Sequence, residues 1–284
     1  MKYNELYEIG KNKLKAAGIE EYELDARLLL ESVCTTKRHD LLVNGEREVT
    51  TGQEQDYVNH ILKRGNHVPL QYILGEQEFM GLNFTVTPAA LIPRQDTETL
   101  VEEVKRHLYD GMTILDMCTG TGCILLSLLY YSNNCQGTGV DISAEALKIA
   151  ARNEERITSL PRNAPPIKKV NWIESDLFAK VSGRFDIIVA NPPYIPTKTI
   201  DELMPEVRQY EPLLALDGKK DGLYFYRKII DRASQHLNKG GMLFLEIGFD
   251  QAEVVANMTA EKGFYDTNVI KDLAGNDRVV CSLL

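Results

Sequence analysis

Residues 185–194 read FDIIVANPPY, and the fold turns on how this stretch is read. Apart from Asp186, the run from Phe185 to Ala190 is apolar, rich in Ile and Val, and stopped by prolines. That is the pattern of a strand buried in a parallel sheet. Ligands of open α/β sheets bind beyond the carboxyl ends of the strands, which puts Asn191 where chemistry is done. Pro192 and Pro193 fix φ and donate no backbone hydrogen bond, so carbonyl oxygens are left to accept from a ligand. With the Asn191 side-chain carbonyl as a further acceptor and the Tyr194 ring as a flat packing surface, the tetrapeptide can grip a planar NH2 group. The same four residues also describe a proline-stiffened turn with a capping Asn, so the rest of the chain has to decide.

Upstream, Thr113–Asp116 reads as a short buried strand, followed by Met117-Cys118-Thr119-Gly120-Thr121-Gly122 and an apolar helix from Cys123 to Tyr130. Glycines at a strand-to-helix turn let the backbone approach a nucleotide-like ligand. The third glycine of the dinucleotide fingerprint is replaced by Leu125, and an acidic residue ends the strand before the loop; both features disfavour NAD. A second strand, Gly137–Val140, ends at Asp141, whose carboxylate can accept from ribose hydroxyls. Ile142 then leads into a helix over 144–152. A third strand runs from Trp172 into a turn, where Asp176 can accept from an adenine amino group, or cap the turn, and Leu177 can cover the ring. After the NPPY strand the pattern predicts a long polar loop over 195–222, of the kind that forms a lid. A helix over 223–237, a strand over 242–247 and a hairpin-like ending complete the order. The fold class is α/β, a doubly wound sheet with an antiparallel C-terminal edge strand.

The first 75 residues read differently. Leu6, Ile9, Leu14 and Ala17 recur at helical spacing with Gly18 as a C-cap, and Leu24, Leu28 and Leu29 share a face of the next helix. Shorter helices are expected at 38–44 and 51–64, and the whole reads as a small helical domain whose task is to contact a partner. Residues 76–95 look like a β-hairpin linker turning at Gly81-Leu82-Asn83, with 96–284 as the core domain. In the linker's exit, Asp96 or Thr97 can cap the next helix, and Arg94 and Glu98 can face the active site or form an ordinary solvated helix start.

The 284 residues are 44% hydrophobic with a net charge of −9, enough for real cores and unfavourable to a large phosphate-binding surface. A protein or small molecule is the expected partner, not nucleic acid. No apolar run approaches the roughly 18 residues of a membrane span, and the N-terminus lacks a signal-peptide core, which predicts a cytoplasmic location. The five cysteines contain no CxxC pair, arguing against disulfides and against a metal site.

The motifs PLQYILGEQEF, LIPRQDTETLVEEV, LDMCTGTGCI, NPPYI, YEPLLALDG with DGL, and GNDRVV together resemble the class I S-adenosylmethionine-dependent methyltransferases, and within them the release factor glutamine methyltransferases (PrmC/HemK). The resemblance spans nearly the whole chain. It implies S-adenosylmethionine as cofactor and S-adenosylhomocysteine as product. It implies cofactor contacts from Cys118, Thr119, Gly120, Thr121, Gly122, Asp141, Ile142, Asp176, Leu177 and Asn191, and substrate-glutamine contacts from Asn191, Pro192, Pro193 and Tyr194, with Arg94 and Glu98 nearby. The implied partner is a class I peptide chain release factor, met by a monomer, with methylation of the glutamine in its Gly-Gly-Gln loop. The NPPY motif alone is shared with methyltransferases of exocyclic amino groups in nucleic acids. That activity, methylation of a ribosomal-protein glutamine and a non-catalytic cofactor-binding adaptor are the other readings. Cys118 and Gln95 stand where the family most often has glycine and proline, Lys219 replaces a second glycine after Asp217-Gly218, and Leu177 is smaller than an aromatic cover for adenine.

Overall fold

In the computed structural model, which describes residues 1–284, the FDIIVA run is strand β6 of a seven-stranded sheet. A hairpin, β1 (Glu76–Phe79) and β2 (Leu82–Thr85), stands apart from that sheet. Its turn residues Met80 and Gly81 have φ of 53° and 70°, the double positive φ of a two-residue hairpin loop. The sheet itself comprises β3 (Thr113–Met117), β4 (Gln136–Asp141), β5 (Asn171–Glu174), β6 (Phe185–Ala190), β7 (Leu237–Glu246), β8 (Tyr265–Lys271) and β9 (Asp277–Leu283). Its order is β5-β4-β3-β6-β7-β9-β8. Strands β3 to β7 are mutually parallel, and β9 pairs antiparallel with both β7 and β8. The antiparallel pairing expected at the C-terminal edge is therefore present, with β9 lying one place inside the edge strand β8.

The continuous apolar character of β6 follows from its position. Ile188 and Ala190 point into a layer with Tyr226, Ile229 and Ala233 of the helix Tyr224–His236. Ile187 and Val189 point the other way, towards Leu100 and Val104 of the helix Glu98–His107 and Leu125 and Leu129 of the helix Cys123–Tyr130. A strand covered on both faces has no place for a polar alternate. From β3 the chain winds outward to β4 and β5, then returns to lay β6 on the other flank of β3. The point of reversal between β3 and β6 opens a crevice at their carboxyl ends.

Several local expectations are revised. The stretch 195–222 is not an open loop: it carries a 3-10 helix, Thr197–Glu202, and short helices Pro205–Tyr210 and Leu213–Leu216. Helix Ala144–Thr158 runs a turn and a half past its expected end, and β7 begins at Leu237 through an irregularity opposite Phe185–Ile187. Neither Asp96 nor Thr97 caps the helix Glu98–His107 through its side chain. A 3-10 turn, Gln95–Thr97, leads into it instead.

The chain divides into two units, Met1–Glu76 with Met204–Tyr210, and Gln77–Leu203 with Glu211–Leu284. In the first, helices Tyr3–Ala16, Tyr22–Cys34 and Thr51–Gly65 bury a shared core including Leu6, Leu14, Leu29, Leu30 and Tyr57. Gly10 is required there, since a Cβ would lie 2.0 Å from the Tyr57 hydroxyl oxygen. The buried set Tyr3, Leu6, Gly10 and Leu14 keeps a 3-4-4 spacing, which leaves Ile9 37% exposed, and Leu24 is likewise 39% exposed. Arg64, buried, holds Asp25 and Glu206 through Nε and Nη2, each at 2.6 Å. No helix of the molecule is long and apolar enough to cross a membrane.

Candidate active site

The carboxyl ends of β3, β4 and β6 frame a cavity of about 300 Å³ within the second unit. The loop after β3 forms its floor, held from two sides by carboxylates. Beneath it, Asp116 is fully buried and its Oδ2 accepts from the Thr119 hydroxyl at 2.5 Å. Burial pushes the Asp116 carboxyl up to about 7, against the opposing pull of the Thr119 hydroxyl and the Leu125 backbone. At the side, Asp141 accepts from Gly120 N through Oδ2 and from Ser143 N through Oδ1, both at 2.9 Å. Burial raises its carboxyl too, and the backbone donors resist that rise. Each oxygen keeps a second lone pair, so Asp141 can hold the loop and still accept from a ligand hydroxyl.

Asn153, wholly buried on helix Ala144–Thr158, ties this loop to the hairpin. Its Nδ2 donates to Thr121 O at 3.0 Å and Thr85 O at 3.1 Å, while Oδ1 accepts from Thr85 N at 2.7 Å. A buried amide with all these bonds made is a rigid cross-brace.

Asn191 and Pro193 reach the cavity from β6. The Asn191 Nδ2 donates to Thr97 Oγ1 at 3.4 Å. The Tyr194 hydroxyl instead turns to the buried Glu246 Oε1 at 3.4 Å, and the Tyr194 carbonyl accepts from Gln251 Nε2 at 3.1 Å. Burial pushes Glu246 up to about 7, opposed by Thr97 and Arg278. Burial and the neighbouring Glu246 raise the Tyr194 phenol, so it stays a neutral donor. Arg94 lines the cavity and is clamped by the buried Glu211, which also accepts from Ile92 N at 3.3 Å.

Three residues other than glycine take left-handed backbone in the cavity wall: Cys118 (φ 62°), Leu177 (φ 48°) and Lys219 (φ 70°). Such conformations cost an L residue roughly 1–2 kcal/mol each and gather where a site over-determines the backbone. Two of the three are the positions at which glycine would be the commoner residue. Cys118 and Lys219 thus sit on backbone that favours glycine and carry the strain of it.

Of the residues singled out from sequence, Cys118, Thr119, Gly120, Thr121, Asp141, Ile142, Asp176, Leu177, Asn191, Pro193 and Arg94 line this one cavity. Gly122, Pro192 and Tyr194 do not, though each adjoins a lining residue in the chain. Glu98 is placed elsewhere: its Oε1 accepts from Met80 N at 2.6 Å, beside a separate groove with Gln77, Gly81 and Tyr131. The 3-10 turn before Glu98 advances the chain at three residues per turn rather than 3.6 and so presents a different face. Thr97 was read only as a helix cap, and Asn153, Glu211 and Glu246 escaped the sequence reading as site residues. A buried acid between aromatic and proline, as in Tyr210-Glu211-Pro212, and an acid closing an apolar strand, as in Leu245-Glu246-Ile247, are the signals that mark two of them.

Residues 5–75 match the model of the PrmC N-terminal domain, and residues 94–207 that of the methyltransferase small domain. The release factor glutamine methyltransferase of Geobacter sulfurreducens is 42% identical over 268 residues, covering 94% of this chain and 91% of that one. The protein of the same name from Clostridium botulinum is 41% identical over 278 residues, 95% of each. A methyltransferase structure from Pyrococcus furiosus superposes with a TM-score of 0.50 at 22% identity, over 72% of this chain and 89% of that one. It is a likeness of fold.

Proposed function

This chain belongs to the family of release factor glutamine methyltransferases, and on that premise we propose that it methylates the side-chain amide nitrogen of the Gly-Gly-Gln glutamine in class I release factors, using S-adenosylmethionine. The observation that carries the reading is the meeting of the Gly120 loop, Asp141 and Asn191 around one apolar-walled cavity. Its residues fit the cofactor. Gly120, at φ 54°, leaves its Cβ position open, with only Ala90 as near as 4.0 Å. Asp141 offers free lone pairs at the end of β4, and Asp176, Leu177 and Tyr224 supply a polar edge and apolar cover for a base.

When bound, the cofactor supplies an electrophilic methyl on a sulfonium. The protein's contribution is to hold the other partner. An amide nitrogen is a poor nucleophile because its lone pair is delocalised into the carbonyl, so acceptors on its N–H groups must fix it and favour pyramidalisation. Asn191 Oδ1 and the carbonyls of the tetrapeptide are those acceptors, and most of the rate comes from positioning and from polar groups already oriented. Tyr194 stiffens the turn through Glu246 and Gln251. The surplus proton leaves the nitrogen after transfer, which restores the planar amide without a dedicated base.

The test is transfer of labelled methyl to purified class I release factor, to the same factor with its Gly-Gly-Gln glutamine changed to alanine, and to DNA and RNA. Label on the native factor alone is the expected result. Label persisting on the alanine variant, or appearing only on nucleic acid, overturns the reading.

A further inference from the structure

A glycine inside a strand often marks a place where another group stands too close for a side chain. Gly139 on β4 is such a place: its φ is not positive, and a Cβ there would lie 2.2 Å from Trp172 Cζ3. Trp172 is its partner in register on β5. The same ring reaches on beneath the loop after β3, where a Cβ on Gly122 would lie 3.0 Å from Trp172 Cη2 and 3.2 Å from the Ala150 Cβ. Two glycines on different elements therefore make room for one indole. Its far end is fixed, since Nε1 donates to Glu154 Oε2 at 2.8 Å and Glu154 Oε1 accepts from Val170 N at 2.8 Å. Trp172 is the single tryptophan of the chain, and it does not line the cavity.

We propose that Trp172 is a positioning residue for the cofactor loop, with Glu154 holding its ring in place. Thr119, Gly120 and Thr121 are each tied by a hydrogen bond to a side chain outside the loop, those of Asp116, Asp141 and Asn153. Gly122 has its N–H on Thr119 O and its carbonyl on Leu126 N, so what sets it from outside is packing against Trp172 and Ala150. At φ 77° it is also where the loop turns into the helix Cys123–Tyr130. A displacement there carries Thr121 and the helix start with it. Asn153 and Glu154, neighbours on one helix, thus fix the loop by two routes, one through Thr121 O and one through the indole. This rests on the reading of the loop as the seat of S-adenosylmethionine.

The experiment compares Trp172→Leu, which removes the ring, with Trp172→Phe, which keeps an aromatic in place and loses the tie to Glu154. Freeing about one loop residue that the ligand must then order predicts a rise on the order of 10-fold in the calorimetric Kd for S-adenosylmethionine in Trp172→Leu, and of about 3-fold in Trp172→Phe. The kcat at saturating cofactor is expected to stay at the wild-type value. A folded leucine variant with wild-type Kd, or a loss that falls on kcat instead, makes the indole ordinary core filling and overturns the proposal. An independent measurement is hydrogen exchange of the Gly122 amide in the ligand-free protein, with the amides of β3 as internal reference. Exchange is expected to be slowest in the wild type, faster in Trp172→Phe and fastest in Trp172→Leu. Equal rates overturn the proposal, and the phenylalanine variant carries both measurements if the leucine one does not fold. If the wild type binds no S-adenosylmethionine, the cofactor reading falls on that result, and the Gly122 amide still decides the role of Trp172.

Discussion

Asp141→Ala tests the cofactor side of the site, and its effect can be worked at two levels. In the resting protein the substitution strips an anionic acceptor from two part-buried backbone donors, Gly120 N and Ser143 N, each at 2.9 Å. A hydrogen bond to a charged group is worth about 1.5–3 kcal/mol. Burial already raises this carboxyl, so desolvation offsets part of that gain, and a stability loss of about 1–2 kcal/mol is expected. In a chain of this size that lowers the melting temperature by a few degrees. At the second level, the ligand's ribose hydroxyls lose their acceptor, which adds another 1.5–3 kcal/mol, or about 10- to 150-fold in Kd. Asp141→Asn is the companion: it keeps one carbonyl oxygen but sets an NH2 against a backbone N–H. Calorimetric titration of S-adenosylmethionine and S-adenosylhomocysteine, with melting curves on the same samples, separates the levels. Lower melting temperature with unchanged affinity in both variants would make Asp141 a loop anchor only and refute its role in cofactor binding.

Asn191→Ala is expected to lower kcat by about 10²- to 10³-fold, on the scale of losing one oriented group in other active sites, with the cofactor Kd little changed. Equal losses in both would make Asn191 a cofactor ligand alone. Burial raises the Glu246 carboxyl to about 7 from its ordinary 4.5, so the native state holds the extra proton between those values and this group's contribution to stability falls as pH rises from 4.5 to 7. Glu246→Gln should therefore be more stable than the wild type at pH 8, by up to about 3 kcal/mol, and show no advantage at pH 4.5. Denaturant titrations at the two pH values check this, and a pH-independent difference refutes it. At Cys118, with φ at 62°, glycine should be more stable than alanine by about 1 kcal/mol, since alanine keeps the strain and loses the thiol's packing. Melting of the two variants in the opposite order removes the strain argument.

The deciding strand was legible because both its faces are covered, which makes its apolar run continuous. The glycine loop and Asp141 were legible because a strand end, a turn and an acid come in sequence order. What stayed hidden was set by contacts between distant segments. Thr97 meets Asn191 and Glu246 meets Tyr194 from distant parts of the chain, and nothing local marks a threonine in a helix start as buried. The direction of Glu98 depended on a single 3-10 turn, which shifts a helix face without changing any residue type. The helices within 197–216 were masked by prolines at positions 196, 205 and 212, which read as breakers but stand at or next to helix starts, where a missing N–H is harmless. Ile9 matched the helical period and still faces outward, because the arc of its helix that packs runs through Gly10, a residue that hydrophobic patterning cannot see; Leu24 is exposed because its helix buries Asp25, Ala26, Leu29 and Leu30.

The place of β9 between β7 and β8 also governs the order of events when the chain folds. β8 is synthesised first, yet its neighbour in the sheet is β9, so it has nothing to pair with when it emerges. Until β9 arrives, the row Met242, Leu243, Phe244 and Leu245 along β7 is an open apolar edge, able to template pairing with any strand that meets it. β8 is poorly suited to fill that gap by mistake, since its residues Tyr265, Asp266, Asn268 and Lys271 are polar or exposed. The same polarity later blunts the finished sheet's rim. Substitutions that slow the turn from Lys271 to Asp277 would lengthen the interval in which β7 lies bare, and aggregation during synthesis, not loss of equilibrium stability, is where they would first be felt.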